Sequence, residues 1–495
     1  MDKRTGRDRI SESTVAAWVG VPGRYLGLLI LLALVVRLGF LLAVSHPEVL
    51  DGAFVLQEST DEAEYHALAS ELARSGVYRL SSDAPPTAKR PPGLVLPVAA
   101  LYAVFGPAPV LAVGYVLLCS LAVVPVAGAL AWASSRRRWA SVLAMGLAAL
   151  LPTLVFTASG LWSEPPALLF TLVSLLLLVR SEGRFDRVGT AALAGLALAA
   201  GYLNRPSVGL VIALVFAWLV VDGFFVTRGR GSKHWREALS RAAVFALVAA
   251  LPILAWGARN QRALGGFYLG NTESTAALWG SNNPVTAGLE PPALARSGGY
   301  DLEREAAEGR YLGSWVPLSY LEGEAPARPG GAAELERHRR QQRRVRELVL
   351  EHPWAWLRLL GYKGWRILTA EPMAPSILGE DPGMRRLKRV VTFAERWLVL
   401  LAGGYGMALL ARRRPRHALL YGIYAAAGLA VVFLAYPNAR IFLPVSVALL
   451  PPAAVALAEL GDRTAFLPPL PGRVRRVGGE RGARGVRVSG ERGEK

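Results

Sequence analysis

The chain has 495 residues, 53% of them hydrophobic, and a formal net charge of +19, a composition too apolar for the polar surface that a water-soluble enzyme of this length needs. Its basic residues punctuate apolar runs instead of forming one patch interleaved with aromatics, which excludes nucleic acid as a partner. Cys119, the single cysteine, lies inside an apolar run and excludes an intramolecular disulfide or a cysteine zinc cluster.

The apolar runs predict an all-α integral membrane protein, because a helix needs about 20 residues to cross the hydrocarbon core. In chain order the spans are 25–44, 110–132, 139–159, 165–179, 188–203, 206–226, 242–257, 392–411, 417–436 and 441–460. The first is longer than a signal-peptide core and runs on into acidic sequence without a small-residue cleavage site, so it reads as a retained helix. The stretch 91–106 is short and bracketed by prolines, and reads as a helix lying at or dipping into the interface.

Charge tests this count, since lysine and arginine in short loops stay cytoplasmic. Lys3, Arg4, Arg7 and Arg9 precede the first span, and every second connection is basic: 136–138, 180–187, 228–236 and 412–416. An even number of spans follows, about ten, with both termini inside. The expected organisation is a cytoplasmic segment 1–24, a membrane region 25–257 with an external loop 45–90, and an external segment 258–391. Membrane helices 392–460 and a basic, low-complexity cytoplasmic tail 461–495 complete it. The basic cluster 338–346 falls in the long external segment, which escapes the rule. Residues 332–360 read as helix, and Trp354, Trp356, Trp365 and Lys363 suit a segment resting at the interface.

Ionisable groups on the outer side carry the chemical information. Tyr65, Leu68, Ala69 and Leu72 recur at helical spacing, so a short amphipathic helix starts just beyond the first span, with Asp61, Glu62 and Glu64 in its first turn. One reading makes Ser59 and Glu62 a capping box and Asp61 a partner of the helix dipole. The other aims Asp61 at the membrane surface as a general base. The two are compatible, with Glu62 capping and Asp61 acting on substrate.

Arg90, in Arg90-Pro91-Pro92-Gly93, stands where the chain turns back to the membrane, as a rigid turn with a snorkelling arginine or as a substrate group. Glu164 begins a span ahead of Pro165, where it complements the dipole, although a carboxylate near the membrane is costly and often functional. Arg205, Arg259, Lys363 and Arg440 add cations on the same side; singly each reads as a headgroup anchor. Together these groups suit a substrate with an anionic head and a greasy tail. Arg37, past the midpoint of the first span, is expected to snorkel or to pair with an outer-half carboxylate. The six histidines show no metalloprotease spacing, and no nucleotide-binding glycine loop opens a helix. A secondary transporter or lipid flippase is the competing class, but transporters place charges near the midplane between repeated halves, whereas these acids sit at one surface before a long external segment.

The order of the motifs resembles the GT-C superfamily of polytopic glycosyltransferases, most closely family 39 and the related bacterial branch of protein mannosyltransferases and lipid A aminoarabinose transferase. The likeness runs to about residue 460. It rests on Asp61-Glu62 with Tyr65, Lys89-Arg90-Pro91-Pro92-Gly93, Leu161-Trp162-Ser163-Glu164-Pro165 and Asn204-Arg205-Pro206. Arg259-Asn260, Gly280-Ser281-Asn282-Asn283-Pro284, His352-Pro353 with Lys363, and Tyr436-Pro437-Asn438-Ala439-Arg440 extend it. The resemblance implies transfer of a sugar from a polyprenyl-phosphate donor to a lipid, glycan or protein acceptor outside the cytoplasm, with inversion at the anomeric carbon. It implies Asp61 as the base and Arg90, Lys363 and Arg440 around the departing phosphate. Glu62 and Glu164 would position substrate or a divalent metal, which is expected not to be obligatory.

Overall fold

A computed structural model describes residues 18–46, 48–49, 61–182, 185, 187–227, 232–282, 330–369, 382–435 and 437–464. Ser59, Asn283, Pro284, Tyr436, most of the 258–391 segment's centre, and the tail beyond 464 lie outside the described residues, as does the chain before residue 18.

The fold is an all-α membrane bundle, and no strand occurs among the described residues. Helix α1 (Gly23–Phe40) ends in one π-helical turn, Leu41–Ser45. The predicted amphipathic helix is α2 (Asp61–Ser75), and the short proline-bracketed stretch is α3 (Pro92–Phe105), stopped by Gly106 at φ 85°. Then come α4 (Pro109–Ser135), α5 (Arg138–Leu150) and α6 (Pro152–Thr157). They are followed by α7 (Glu164–Arg180), α8 (Val188–Asn204), α9 (Gly209–Thr227) and α10 (Ser232–Leu264). Outside the spans lie α11 (Thr272–Ser281), α12 (Gly331–Glu351) and α13 (Pro353–Thr369). Helices α14 (Pro382–Arg413), α15 (Pro415–Leu434) and α16 (Ala439–Arg463) close the bundle. Prolines open many of these helices because the first turn needs no amide hydrogen and already has proline's φ. The predicted helix 332–360 is two helices for the same reason: Pro353 ends one and begins the next.

Seven helices among the described residues are long and apolar enough to cross a membrane. The remaining expected spans are shorter: α7 and α8 have 17 residues each, about 26 Å at the helical rise. The expected span 139–159 is broken. Leu151 has ψ 111° and Pro152 restarts the chain as α6, because proline cannot donate to the carbonyl four residues back and biases its predecessor away from helix.

Two buried charges heal this break, and one corrects an expectation. Arg37 neither snorkels nor meets a carboxylate among the described residues. Fully buried, it donates to Ala148 O (3.1 Å) and Ala149 O (2.9 Å), the carbonyls that α5 leaves open, and to Ser120 Oγ (2.9 Å). Glu395 of α14 accepts from the Thr153 amide (2.9 Å) and hydroxyl (2.8 Å) at the start of α6. Open helix ends need such partners where water is absent.

The core is continuous through α4, α5, α7, α8, α15 and α16. Basic connections gather at one end, where Glu182 meets Arg414 (2.8 Å) and His417 (3.1 Å), and Glu459 meets Arg137 and Arg413 (both 2.9 Å). The starts of α7 and α16 and the end of α8 lie at the opposite end, beside α2, α3 and α11.

Candidate active site at one end of the bundle

Helix α2 lays its apolar face, Tyr65, Leu68 and Ala69, against α3, and this points its acidic first turn across the start of α3. Asp61 and Glu64 are three residues apart, on one helix face. Arg90, just ahead of α3, spans both: its Nη2 donates to Asp61 Oδ1 (2.7 Å) and its Nε to Glu64 Oε2 (2.7 Å). Lys89 pairs with the other Glu64 oxygen. The Arg90 guanidinium lies over the Tyr65 ring, 5.6 Å from its centroid.

The second Asp61 oxygen is held from the last helix of the bundle. Arg440, in the first turn of α16, donates to Asp61 Oδ2 (3.1 Å) and to Glu164 Oε1 (2.7 Å), while stacking over Trp162 at 4.1 Å. Arg205, between α8 and α9, reaches the same Glu164 oxygen at 2.5 Å. The result is a continuous chain, Lys89–Glu64–Arg90–Asp61–Arg440–Glu164–Arg205, built from five separate stretches of sequence. Glu164 Oε2 is buried and accepts no hydrogen bond among the described residues.

Asp61 is 30% exposed at its side chain. Burial pushes its pKa up, but the Arg90 and Arg440 guanidiniums outweigh this and bring it to about 2. The same carboxylates hold Arg90 above its ordinary value against desolvation. Glu62 behaves oppositely: burial raises its pKa, opposed by the hydrogen bond from the Leu161 amide (2.9 Å). Glu62 therefore ties α2 to the turn carrying Trp162 and Glu164. The expected capping partner Ser59 is outside the described residues. Gly160 permits this tie, since a Cβ there would lie 1.8 Å from Glu62 Oε1.

Arg90 is placed by a backbone knot around residues 86–90. Glu334 of α12, fully buried, accepts from Thr87 Oγ1 (2.6 Å), Ala88 N (3.0 Å) and Thr272 Oγ1 (2.7 Å). Thr272 N donates to Ala88 O (3.1 Å), and Tyr78 donates to Arg90 O (3.0 Å). Gly93 lets α3 touch the end of α8: a Cβ would sit 2.5 Å from the Leu203 carbonyl carbon. The Arg-Pro-Pro-Gly and Asn-Arg-Pro motifs are thus two sides of one contact.

Of the residues singled out from sequence, Asp61, Arg90, Glu164, Arg205 and Arg440 meet in one chain, with Tyr65 beneath and Glu62 bracing it. Arg259 stands beside the network and donates to Thr87 O (2.7 Å), Tyr78 O (3.2 Å) and Asn260 Oδ1 (3.0 Å). Lys363 lies elsewhere, donating to Asn282 Oδ1 (3.2 Å) and Phe433 O (2.9 Å). Glu64, Lys89, Trp162 and Glu334 were not among those chosen. The three-residue spacing from Asp61 marks Glu64; nothing in the sequence marks Glu334. No three His, Cys, Asp or Glu side chains form a metal-sized group among the described residues.

No family model and no curated protein sequence matches the chain. Solved structures do. An archaeal oligosaccharyltransferase, AglB from Archaeoglobus fulgidus in complex with an inhibitory peptide and a dolichol-phosphate, aligns with a TM-score of 0.51 and 14% identity. The match covers 90% of this chain and 51% of that one, so the chain spans about half its length. An Archaeoglobus fulgidus oligosaccharyltransferase tethered to an acceptor peptide with the NVT sequon gives 0.51 and 13%, covering 90% and 50%. ArnT from Cupriavidus metallidurans bound to undecaprenyl phosphate matches at 0.37 and 17%, covering 90% and 80%. At these identities the likeness to the archaeal oligosaccharyltransferase is one of fold alone.

Proposed function

We propose that this protein is a membrane glycosyltransferase that moves a sugar from a polyprenyl-phosphate-linked donor to an acceptor at the extracytoplasmic face. The observation that carries this reading is the pair Arg90 and Arg440, which meet on opposite oxygens of Asp61 while each keeps a second carboxylate. Two guanidiniums facing one carboxylate also match the charge and geometry of a phosphate. The shared fold with an enzyme solved with dolichol-phosphate supports a lipid-linked phosphate as that group.

The chemistry follows from competition for the arginines. With both oxygens held, Asp61 is a weak base. A donor phosphate drawing Arg90 and Arg440 to itself leaves the carboxylate free to accept a proton. The acceptor oxygen then bonds to the anomeric carbon as the carbon–oxygen bond to phosphate breaks. The phosphate leaves with the electron pair, stabilised by Arg90 and Arg440, and the acceptor proton goes to Asp61. Attack opposite the leaving group inverts the centre. Glu164 and Arg205 hold Arg440 in place, and Glu62 holds the turn that carries Glu164. No metal is taken as obligatory: the Asp61 oxygens and one Glu164 oxygen already face guanidiniums. The alternation of basic loops supports the site's extracytoplasmic placement.

The test is label transfer from a panel of polyprenyl-phosphate sugars by the purified protein, with identification of the product. Covalent transfer to a lipid, glycan or peptide is the expected result. Movement of substrate across proteoliposome membranes with no covalent product from any donor would replace the reading with transport.

A further inference from the structure

Helices α12 and α13 form an elbow whose two outward faces differ in character. In α12, Leu335, His338, Gln341, Leu348 and Glu334 are buried. Arg339, Arg343, Arg346 and Leu350 are exposed on the other side; at 3.6 residues per turn they fall within an arc of about 60°. Arg339, Arg343 and Arg346 make no ion pair among the described residues. In α13 the buried residues are Leu359, Lys363 and Ile367. Its outward face carries Trp354 (77% exposed), Trp365 (62%), Leu357 (48%) and Leu368 (41%), within an arc of about 80°. The elbow thus exposes an arginine stripe on α12 and an aromatic and aliphatic stripe on α13, one on either side of Pro353 in the chain.

We propose that this elbow is a docking surface for anionic phospholipid, with the α13 stripe in the boundary of the acyl region and Arg339, Arg343 and Arg346 on headgroup phosphates. The occupant follows from the combination. A soluble polyanion satisfies the arginines but leaves two tryptophans and two leucines in water, whereas a bilayer surface covers both. Tryptophan suits the headgroup level for its amphipathic ring. Arg346 precedes the end of α12 by five residues, about 8 Å along the helix, so it stands about one Debye length from the elbow, a distance over which lipid charge is still felt. The buried face of the same helix carries Glu334, so headgroup contact bears on the helix that anchors residues 86–90.

The experiment uses the full chain in nanodiscs of phosphatidylcholine alone or mixed with phosphatidylglycerol, read by hydrogen exchange over residues 331–369. Anionic lipid is expected to slow exchange in α12 about tenfold or more, an effect removed by high salt and by the combined R339Q, R343Q and R346Q substitutions. Substitutions on this exposed face leave the fold intact, which the unchanged exchange of α14–α16 would verify. Equal exchange of the wild-type protein in the two lipid mixtures overturns the proposal. So does an anionic-lipid effect that persists in the triple variant, or equal protection by soluble polyphosphate in phosphatidylcholine alone, which would reassign the arginines to a soluble polyanion. None of these readings depends on transfer activity.

Discussion

Asp61→Asn separates chemistry from architecture because of how the network is wired. Arg90 keeps Glu64 at 2.7 Å and Arg440 keeps Glu164 at 2.7 Å when the Asp61 charge is gone, so neither guanidinium is left buried and alone. A carboxyl pKa of about 2 against the ordinary 3.8 is worth about 2 kcal/mol of native-state preference. Solvent at the partly exposed carboxylate reduces this to about 1–2 kcal/mol. A hundredfold activity loss through unfolding would need about 99% of molecules unfolded, beyond what 1–2 kcal/mol does to a typical folding margin of about 5–15 kcal/mol. Loss of a general base costs about 10²–10⁴-fold in rate. The expected outcome is therefore transfer reduced by that factor, with donor binding retained and a thermal midpoint only modestly lowered. Rate, donor affinity and thermal unfolding measured in one detergent decide it. Near-normal transfer by Asp61→Asn would refute Asp61 as the base and move attention to Glu62 or Glu164.

Gly160→Ala should lower both stability, by about 1–3 kcal/mol, and transfer, because the new methyl displaces the Glu62 carboxylate that braces the Trp162–Glu164 turn; thermal unfolding and kinetics on the purified variant check this. Glu334→Ala should leave the buried Ala88 amide without its acceptor, costing about 1–3 kcal/mol, and should speed hydrogen exchange across residues 86–92 while exchange in α14–α16 stays unchanged. The stability difference between wild type and Asp61→Asn should depend on pH. The Asp61 pKa is depressed in the folded state, so its contribution is present in full above about pH 4 and fades as pH falls toward 2; paired unfolding curves at descending pH should converge over that window.

Much of this molecule follows from one dimension of information. A chain in lipid must satisfy its backbone within each segment, so long apolar runs could only be helices. Proline, which opens a helix and cannot continue one, set the starts of α3, α4, α7 and α15. Local spacing likewise placed Asp61 in the first turn of α2 and Arg90 at the entry to α3. Local information could not show that the predicted span 139–159 would break at Pro152, because proline is tolerated inside α4, α10 and α16. The break exists where Arg37 and Glu395, distant in sequence, supply the missing hydrogen-bond partners. Pairing was equally out of reach. Arg440 meets Asp61 across 379 residues, and Glu334 meets Thr87 across 247, distances over which residue type and periodicity carry no information on contact. Hence these cations looked alike in the sequence, and only packing joined Arg90, Arg205 and Arg440 to the carboxylates while turning Arg259 to backbone carbonyls and Lys363 toward Asn282. A membrane helix is decided by the solvent its own residues require, whereas an ion-pair chain is decided by which helix ends the bundle brings within 3 Å or so of one another.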